Sequence, residues 1–131
     1  MPRAAFAPAV GRLSALTRAG RRRRVFEDGI WFDSQAEHRR YRELLLLERA
    51  GEISELRVHP RYDLTVNGTH VCSYIPDFRY LSRGGAVVVE DVKSPVTRKL
   101  PEYRIKAALF EALYKHPVVE VVCGGRPRRR R

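Results

Sequence analysis

The chain has 131 residues, 44% of them hydrophobic, and a formal net charge of +11. That length gives one domain with a modest core. It carries no apolar run of transmembrane length, and Cys72 and Cys123 lie too far apart for a CxxC metal motif or a dense disulfide framework. The basic excess is terminal: residues 1–24 hold seven Arg and residues 126–131 hold five, with no acid in either, so residues 25–125 carry a net −1.

Three regions follow from this charge pattern: a basic arm over 1–24, a folded domain over 25–123, and an Arg-rich tail over 124–131. The arms read as disordered segments suited to a polyanion. They would attract a nucleic-acid backbone without reading its sequence, and salt would weaken that attraction. A competing reading is solubility or codon bias, since the chain has 22 Arg against 4 Lys. The opening Met1-Pro2-Arg3-Ala4-Ala5-Phe6 lacks the apolar segment of a secretory signal, and Pro2 and Pro8 interrupt any transit-type helix. Reduced cysteines and a cytoplasmic location are the expectation.

In chain order, Val25 to Phe32 spells a small hairpin around Asp28-Gly29. Ser34-Gln35-Ala36-Glu37 opens a helix as a capping box. Glu37, Tyr41, Leu44 and Leu45 continue at helical spacing, so the helix runs to Ala50 with Gly51 as its cap. Apolar residues between Ile53 and Val66, the later ones alternating, predict a first strand. Asn67-Gly68 predicts a hairpin turn. Residues 69–81 predict a second strand, which Pro76 confines to an edge or a bulge. Ser82-Arg83-Gly84-Gly85 turns the chain into a valine-rich third strand over 86–93, buried on both faces. Ser94-Pro95 ends it. A second helix over 101–115 and, after Pro117, a last strand over 118–122 complete a crossover unit with parallel pairing. The order is helix, three strands, helix, strand, which is an α/β fold.

Asp77 and Asp91 put carboxylates into apolar strands, where a charge is costly unless it is paired or binds a metal. Asp91 and Lys93 are two apart and point to the same side. Glu90 then faces the other layer, toward an Arg or Lys from a helix. A two-residue loop at Arg83-Gly84 would separate Asp77 from Asp91; a three- or five-residue loop, or one bulge, puts them on one side, and Gly84 and Gly85 permit the positive φ such loops use. Glu37 either caps Ser34 or reaches inward to a metal, and local spacing leaves both roles open. Lys93 reads either as a strand-end surface lysine or as a group that orients water and offsets phosphate charge.

Two carboxylates and one ammonium are the set that phosphodiester hydrolysis with a divalent ion needs. Carboxylate oxygens suit magnesium or manganese. His38, His59, His70 and His116 show no metal-ligand spacing. Arg98, Lys99, Arg104 and Lys106 surround the start of the second helix and read as phosphate contacts or as a solvated face. No glycine-rich phosphate loop is present, and nothing points to an organic cofactor.

In this order and on these elements, Glu37, Pro76-Asp77 and Asp91-Val92-Lys93 resemble the PD-(D/E)XK nuclease superfamily. Within it the chain is similar to a small phage and prophage group of unknown function, often labelled Holliday junction resolvase-like. The resembling stretch runs from about Gly29 to Val122. Its most specific pieces are Phe32-Asp33-Ser34 with Glu37 and Arg40-Tyr41, the run Tyr74-Ile75-Pro76-Asp77-Phe78-Arg79-Tyr80, and Glu90-Asp91-Val92-Lys93 followed by Thr97 and Lys106.

The resemblance implies a restriction-endonuclease-like α-β-β-β-α-β core around a mixed four-stranded sheet flanked by helices. It implies metal ligands at Asp77 and Asp91, with the Val92 carbonyl assisting and Glu37 completing the set, and a role for Lys93 in activating water. Ser94 stands where the family usually has glycine. The activity implied is a magnesium- or manganese-dependent DNA endonuclease, acting on branched or junction DNA in phage recombination or repair, in the cytoplasm of a bacterium or phage-infected host. Junction resolvases in general act as dimers, so a homodimer is expected. Arg21, Arg22, Arg23 and Arg24 of the arm would grip DNA with the second-helix cations. Two other classes fit the same residues: a catalytically inactive DNA-binding accessory protein, and a nuclease subunit of a transposition or packaging complex.

Overall fold

The computed structural model describes residues 23–123, so both arms, Arg21 and Arg22 included, lie outside the described residues except for Arg23 and Arg24. Two compact units divide the chain, one ending at His38 and the other beginning at Arg39. In the first, β1 (Val25–Glu27) and β2 (Ile30–Phe32) pair antiparallel through Asp28 and Gly29, whose φ angles are 53° and 75°. Two positive φ values are what a two-residue turn matched to strand twist requires. The first turn of helix α1 (Gln35–Arg49) follows. Ser34 Oγ accepts the Glu37 N–H at 3.1 Å, and Glu37 Oε2 accepts the Asp33 N–H at 3.1 Å. The cap expected at Ser34 is therefore reciprocal, with the carboxylate one residue earlier than a capping box places it.

The second unit carries the rest of α1, which ends in a glycine cap: Gly51 has φ 77°, and Glu52 donates to the Leu47 carbonyl at 2.9 Å. Then come β3 (Ile53–Val58), β4 (Tyr62–Val66), β5 (Thr69–Tyr74), β6 (Phe78–Ser82) and β7 (Val87–Lys93). A short 3₁₀ turn (Thr97–Lys99), helix α2 (Pro101–Tyr114) and β8 (Val118–Val122) close the chain. The main sheet has the order β3-β6-β7-β8, antiparallel except for the parallel pair β7–β8. This is a mixed four-stranded sheet with two helices, an α/β arrangement.

Two predicted strands each divide in two. Residues 53–66 form β3 and β4, broken at His59-Pro60-Arg61, and residues 69–81 form β5 and β6, broken at Ile75-Pro76-Asp77. Proline has no N–H to donate to a ladder, so each break lets the chain leave one sheet for another. The β4–β5 hairpin, turned at Asn67-Gly68 with φ of 49° and 80°, is thus an insertion between the first two strands of the main sheet.

Register assigns the faces. Phe78 pairs with Glu90 and Tyr80 with Val88, so these four side chains share one face, and Val89, Asp91 and Lys93 occupy the other. On the first face, Arg40 from α1 meets Glu90 with a two-pronged pair, Nε to Oε1 and Nη2 to Oε2, both 2.8 Å. The Tyr80 hydroxyl donates to the same carboxylate, which is only 1% exposed. The helix cation expected for Glu90 is Arg40. On the second face, Val89 packs with Leu64, Tyr74 and Phe110, so the β4–β5 hairpin and α2 cover the side that bears Asp91.

A three-residue loop joins β6 to β7. Leu81 pairs with Val87, the Ser82 N–H donates to the Ala86 carbonyl at 2.8 Å, and Gly85 has φ 86°. This is the odd count that a common side for Asp77 and Asp91 demands.

Truncating Arg40 should leave Glu90 charged, buried and short of a partner. Arg40→Ala is expected to lose about 3 kcal/mol in urea unfolding. The double variant Arg40→Leu with Glu90→Leu should recover most of it. A loss below about 1 kcal/mol in the single variant would show that the pair does not hold the helix to the sheet.

Candidate functional site

The candidate residues lie at one end of the main sheet, where β3 ends and β6 begins. Val58 and Glu90 both pair with Phe78. Just past these pairs, His59 follows the end of β3 and Asp77 precedes the start of β6, while on β7 Asp91 pairs with Glu120 of β8. Backbone bonds continue past the end of the β6 ladder. The His59 N–H donates to the Asp77 carbonyl at 2.9 Å, and the Asp77 N–H donates to the Glu90 carbonyl at 3.1 Å.

Asp77 is 7% exposed and its Oδ2 accepts the Val92 N–H at 2.7 Å. The last β6–β7 pair is Phe78 with Glu90, so Val92 lies past the ladder and a side chain supplies the acceptor that the backbone no longer offers. Asp91 is 3% exposed. The Tyr74 hydroxyl donates to its Oδ2 at 2.6 Å, and Lys93 Nζ lies 3.3 Å from its Oδ1. Lys93 Nζ also sits 4.3 Å from the centre of the Tyr103 ring, where the ring face attracts a cation. Burial, and after it the neighbouring Asp91, push the Tyr74 hydroxyl far above the usual tyrosine range. Burial, then Asp91 and Glu120, raise Tyr103 as well.

The donor chemistry fits a hard divalent cation. Each carboxylate oxygen has two lone-pair directions, so it can accept from a protein donor and still face an ion. Two buried carboxylates and a backbone strand provide the oxygen-rich surroundings magnesium and manganese take. His59 and Asp77 bring a ring nitrogen and a carboxylate oxygen within 4.8 Å of one another. His59 shows no metal-ligand spacing along the chain, because its neighbour Asp77 is brought to it by tertiary pairing.

The remaining predicted positions are placed as follows. Glu37 is buried in the first unit, where it caps α1. Arg98 Nη2 lies 3.4 Å from Glu120 Oε1, and Lys106 Nζ lies 3.2 Å from Glu102 Oε1, so these two cations have local acidic partners. Lys99 and Arg104 are exposed. In the first unit Arg24 lies over the Trp31 ring at 4.9 Å. Beyond His59, sequence reasoning missed Tyr74 and Tyr103 as partners of Asp91 and Lys93. Tyr74 falls in the quoted Tyr74-to-Tyr80 run, three residues before Asp77, which is the one local signal it gave.

A family model described as Protein of unknown function (DUF1064) matches residues 19–124. The chain belongs to the DUF1064 family. The matched stretch contains Glu37, His59, Asp77, Asp91 and Lys93. It matches no curated protein and no solved structure. Among the described residues of this DUF1064 chain, no helix is long and apolar enough to cross a membrane.

The buried tyrosines give the pH dependence. Tyr80 is raised to about 12 by burial and then by its bond to Glu90. A tyrosine whose folded pKa lies above its unfolded value of about 10 favours the folded state fully below that pH, and the benefit is lost as pH rises through the folded value. Urea stability should therefore be level up to about pH 10 and fall from there to about pH 12, with a shallower fall in Tyr80→Phe. An unchanged slope in Tyr80→Phe would count against this assignment.

Proposed function

We propose that this chain is a magnesium- or manganese-dependent endonuclease that hydrolyses phosphodiester bonds in DNA. The observation that carries the reading is Asp91, buried and held between the Tyr74 hydroxyl and Lys93, with the Asp77 carboxylate fastened to the intervening Val92 N–H. The resemblance of Pro76-Asp77 and Asp91-Val92-Lys93 to the PD-(D/E)XK superfamily, and a mixed sheet with one parallel pair, support it.

Asp77 and Asp91 would hold the ion through their carboxylates, with the Val92 carbonyl as a further donor. When bound, the ion supplies Lewis acidity toward a phosphate oxygen and makes water a better nucleophile. Lys93 donates hydrogen bonds to the attacking water and to the scissile phosphate. Its contacts with Asp91 and with the Tyr103 ring keep the ammonium at the strand end. Tyr74 orients Asp91 without itself ionising. Lys99 and Arg104 meet the DNA backbone from α2 and the turn before it. Arg98 and Lys106 join them by exchanging their partly exposed acidic partners for phosphates. The basic arms add sequence-independent attraction. Branched DNA in the cytoplasm of a bacterium or phage-infected host is the substrate setting this reading favours.

The test incubates the protein with linear, supercoiled and four-way DNA, with and without magnesium or manganese. Wild type should cut at least one form only when the ion is present. Asp91→Asn should reduce cutting about 10³-fold and leave DNA binding in place. No cutting of any form by wild type would favour the inactive accessory protein. Cutting by Asp91→Asn at the wild-type rate would move the chemistry away from this site.

A further inference from the structure

His59 follows β3 directly and precedes Pro60, and three features tie it to Asp77. A bulge between Ser54 and Arg57, with Glu55 at φ 54°, shifts the β3–β6 register. From the pairing of Ile53 with Ser82, an unbroken ladder would set Val58 opposite Asp77; the extra residue sets His59 there instead. The backbone is locked at that point, since the His59 N–H reaches the Asp77 carbonyl at 2.9 Å while His59 itself has φ 51°. Non-glycine residues adopt that left-handed conformation at a cost of about 1–3 kcal/mol, which is tolerated where surrounding structure over-determines it. The outcome is a ring nitrogen within 4.8 Å of a buried carboxylate oxygen.

We propose that His59 is a nitrogen ligand of the divalent ion held by Asp77, and that it makes this centre prefer manganese over magnesium. The inference rests on the metal centre of the proposed nuclease and adds its metal selectivity. Magnesium takes oxygen donors almost exclusively and sheds its water reluctantly. First-row transition ions accept imidazole, and manganese among them also keeps the oxygen-rich shell that Asp77 and Asp91 provide. One imidazole among carboxylates therefore separates two ions that an all-oxygen site would hold more nearly alike.

The test uses the full chain and the metals alone, without DNA. Free manganese followed by electron paramagnetic resonance gives its affinity, and competition gives that of magnesium. Wild type should bind manganese about tenfold more tightly than magnesium, and pulsed resonance of the bound ion should show a directly coordinated nitrogen. His59→Gln should lose the nitrogen signal and about tenfold in manganese affinity, with magnesium affinity unchanged within about twofold. Labelling histidine with ¹⁵N in the wild-type chain should alter the coupling, a readout that does not depend on any variant folding. Absence of nitrogen coupling in wild type would overturn the proposal, as would equal losses for both metals in folded His59→Gln. Nitrogen coupling in a chain that cuts no DNA would keep this inference and end the nuclease reading. Cutting without nitrogen coupling would do the reverse.

Discussion

Where β6 parts from β7, the Val92 N–H passes beyond the last rung of the ladder, and the carboxylate of Asp77 takes the missing acceptor's place at 2.7 Å. A buried N–H left without a partner is costly, and so is a buried carboxylate without a donor. Each group answers the other. The same bond fixes one acid of the site against the strand that carries the second acid and the lysine. The departure of β6 at Pro76 is what creates the need, so a proline that interrupts a strand also positions a functional side chain.

Pleating divides the adjacent acids Glu90 and Asp91 between two environments. Glu90 turns toward α1 and is taken up by Arg40 and Tyr80. Asp91 turns toward the β4–β5 hairpin and α2, where its partners are one hydroxyl and one ammonium at the end of a strand. The first acid is enclosed by a two-pronged ion pair that fastens helix to sheet. The second has one partner on each carboxylate oxygen, the Tyr74 hydroxyl on Oδ2 and the Lys93 ammonium on Oδ1. Structural and chemical duties are thus separated by a single step along β7, and the core formed by Val89, Leu64, Tyr74 and Phe110 holds the chemical face in place from below.

Much of this was legible in the chain. Asp28-Gly29, Asn67-Gly68 and Gly51 mark turns and a helix end whose positive φ values few other residues tolerate. The side of Glu90 and its pairing with a helix cation follow from alternation alone, and the odd loop at residues 83–85 follows from asking Asp77 and Asp91 to share a side. The double breaks at Pro60 and Pro76 were not legible as changes of sheet, because a proline in a strand is compatible with an edge, a bulge or an exit, and only tertiary pairing selects among them. His59 was hidden for a related reason. Its relation to Asp77 depends on one bulged residue near Glu55, and a one-residue shift leaves no mark in the pattern of apolar residues on a strand this exposed. The hydroxyl contact of Tyr74 with Asp91 and the ring-face contact of Tyr103 with Lys93 do not follow from spacing along the chain, because they are properties of packing.

The central claim is that the end of the β6–β7 ladder forms a cation seat from Asp77 and Asp91. Anomalous diffraction from crystals soaked in manganese tests it most directly. A single strong peak roughly 2.1 Å from a carboxylate oxygen of each of the two aspartates is the predicted result. An ordered site showing both carboxylates with no peak between them, or with the bound ion elsewhere in the molecule, would contradict it.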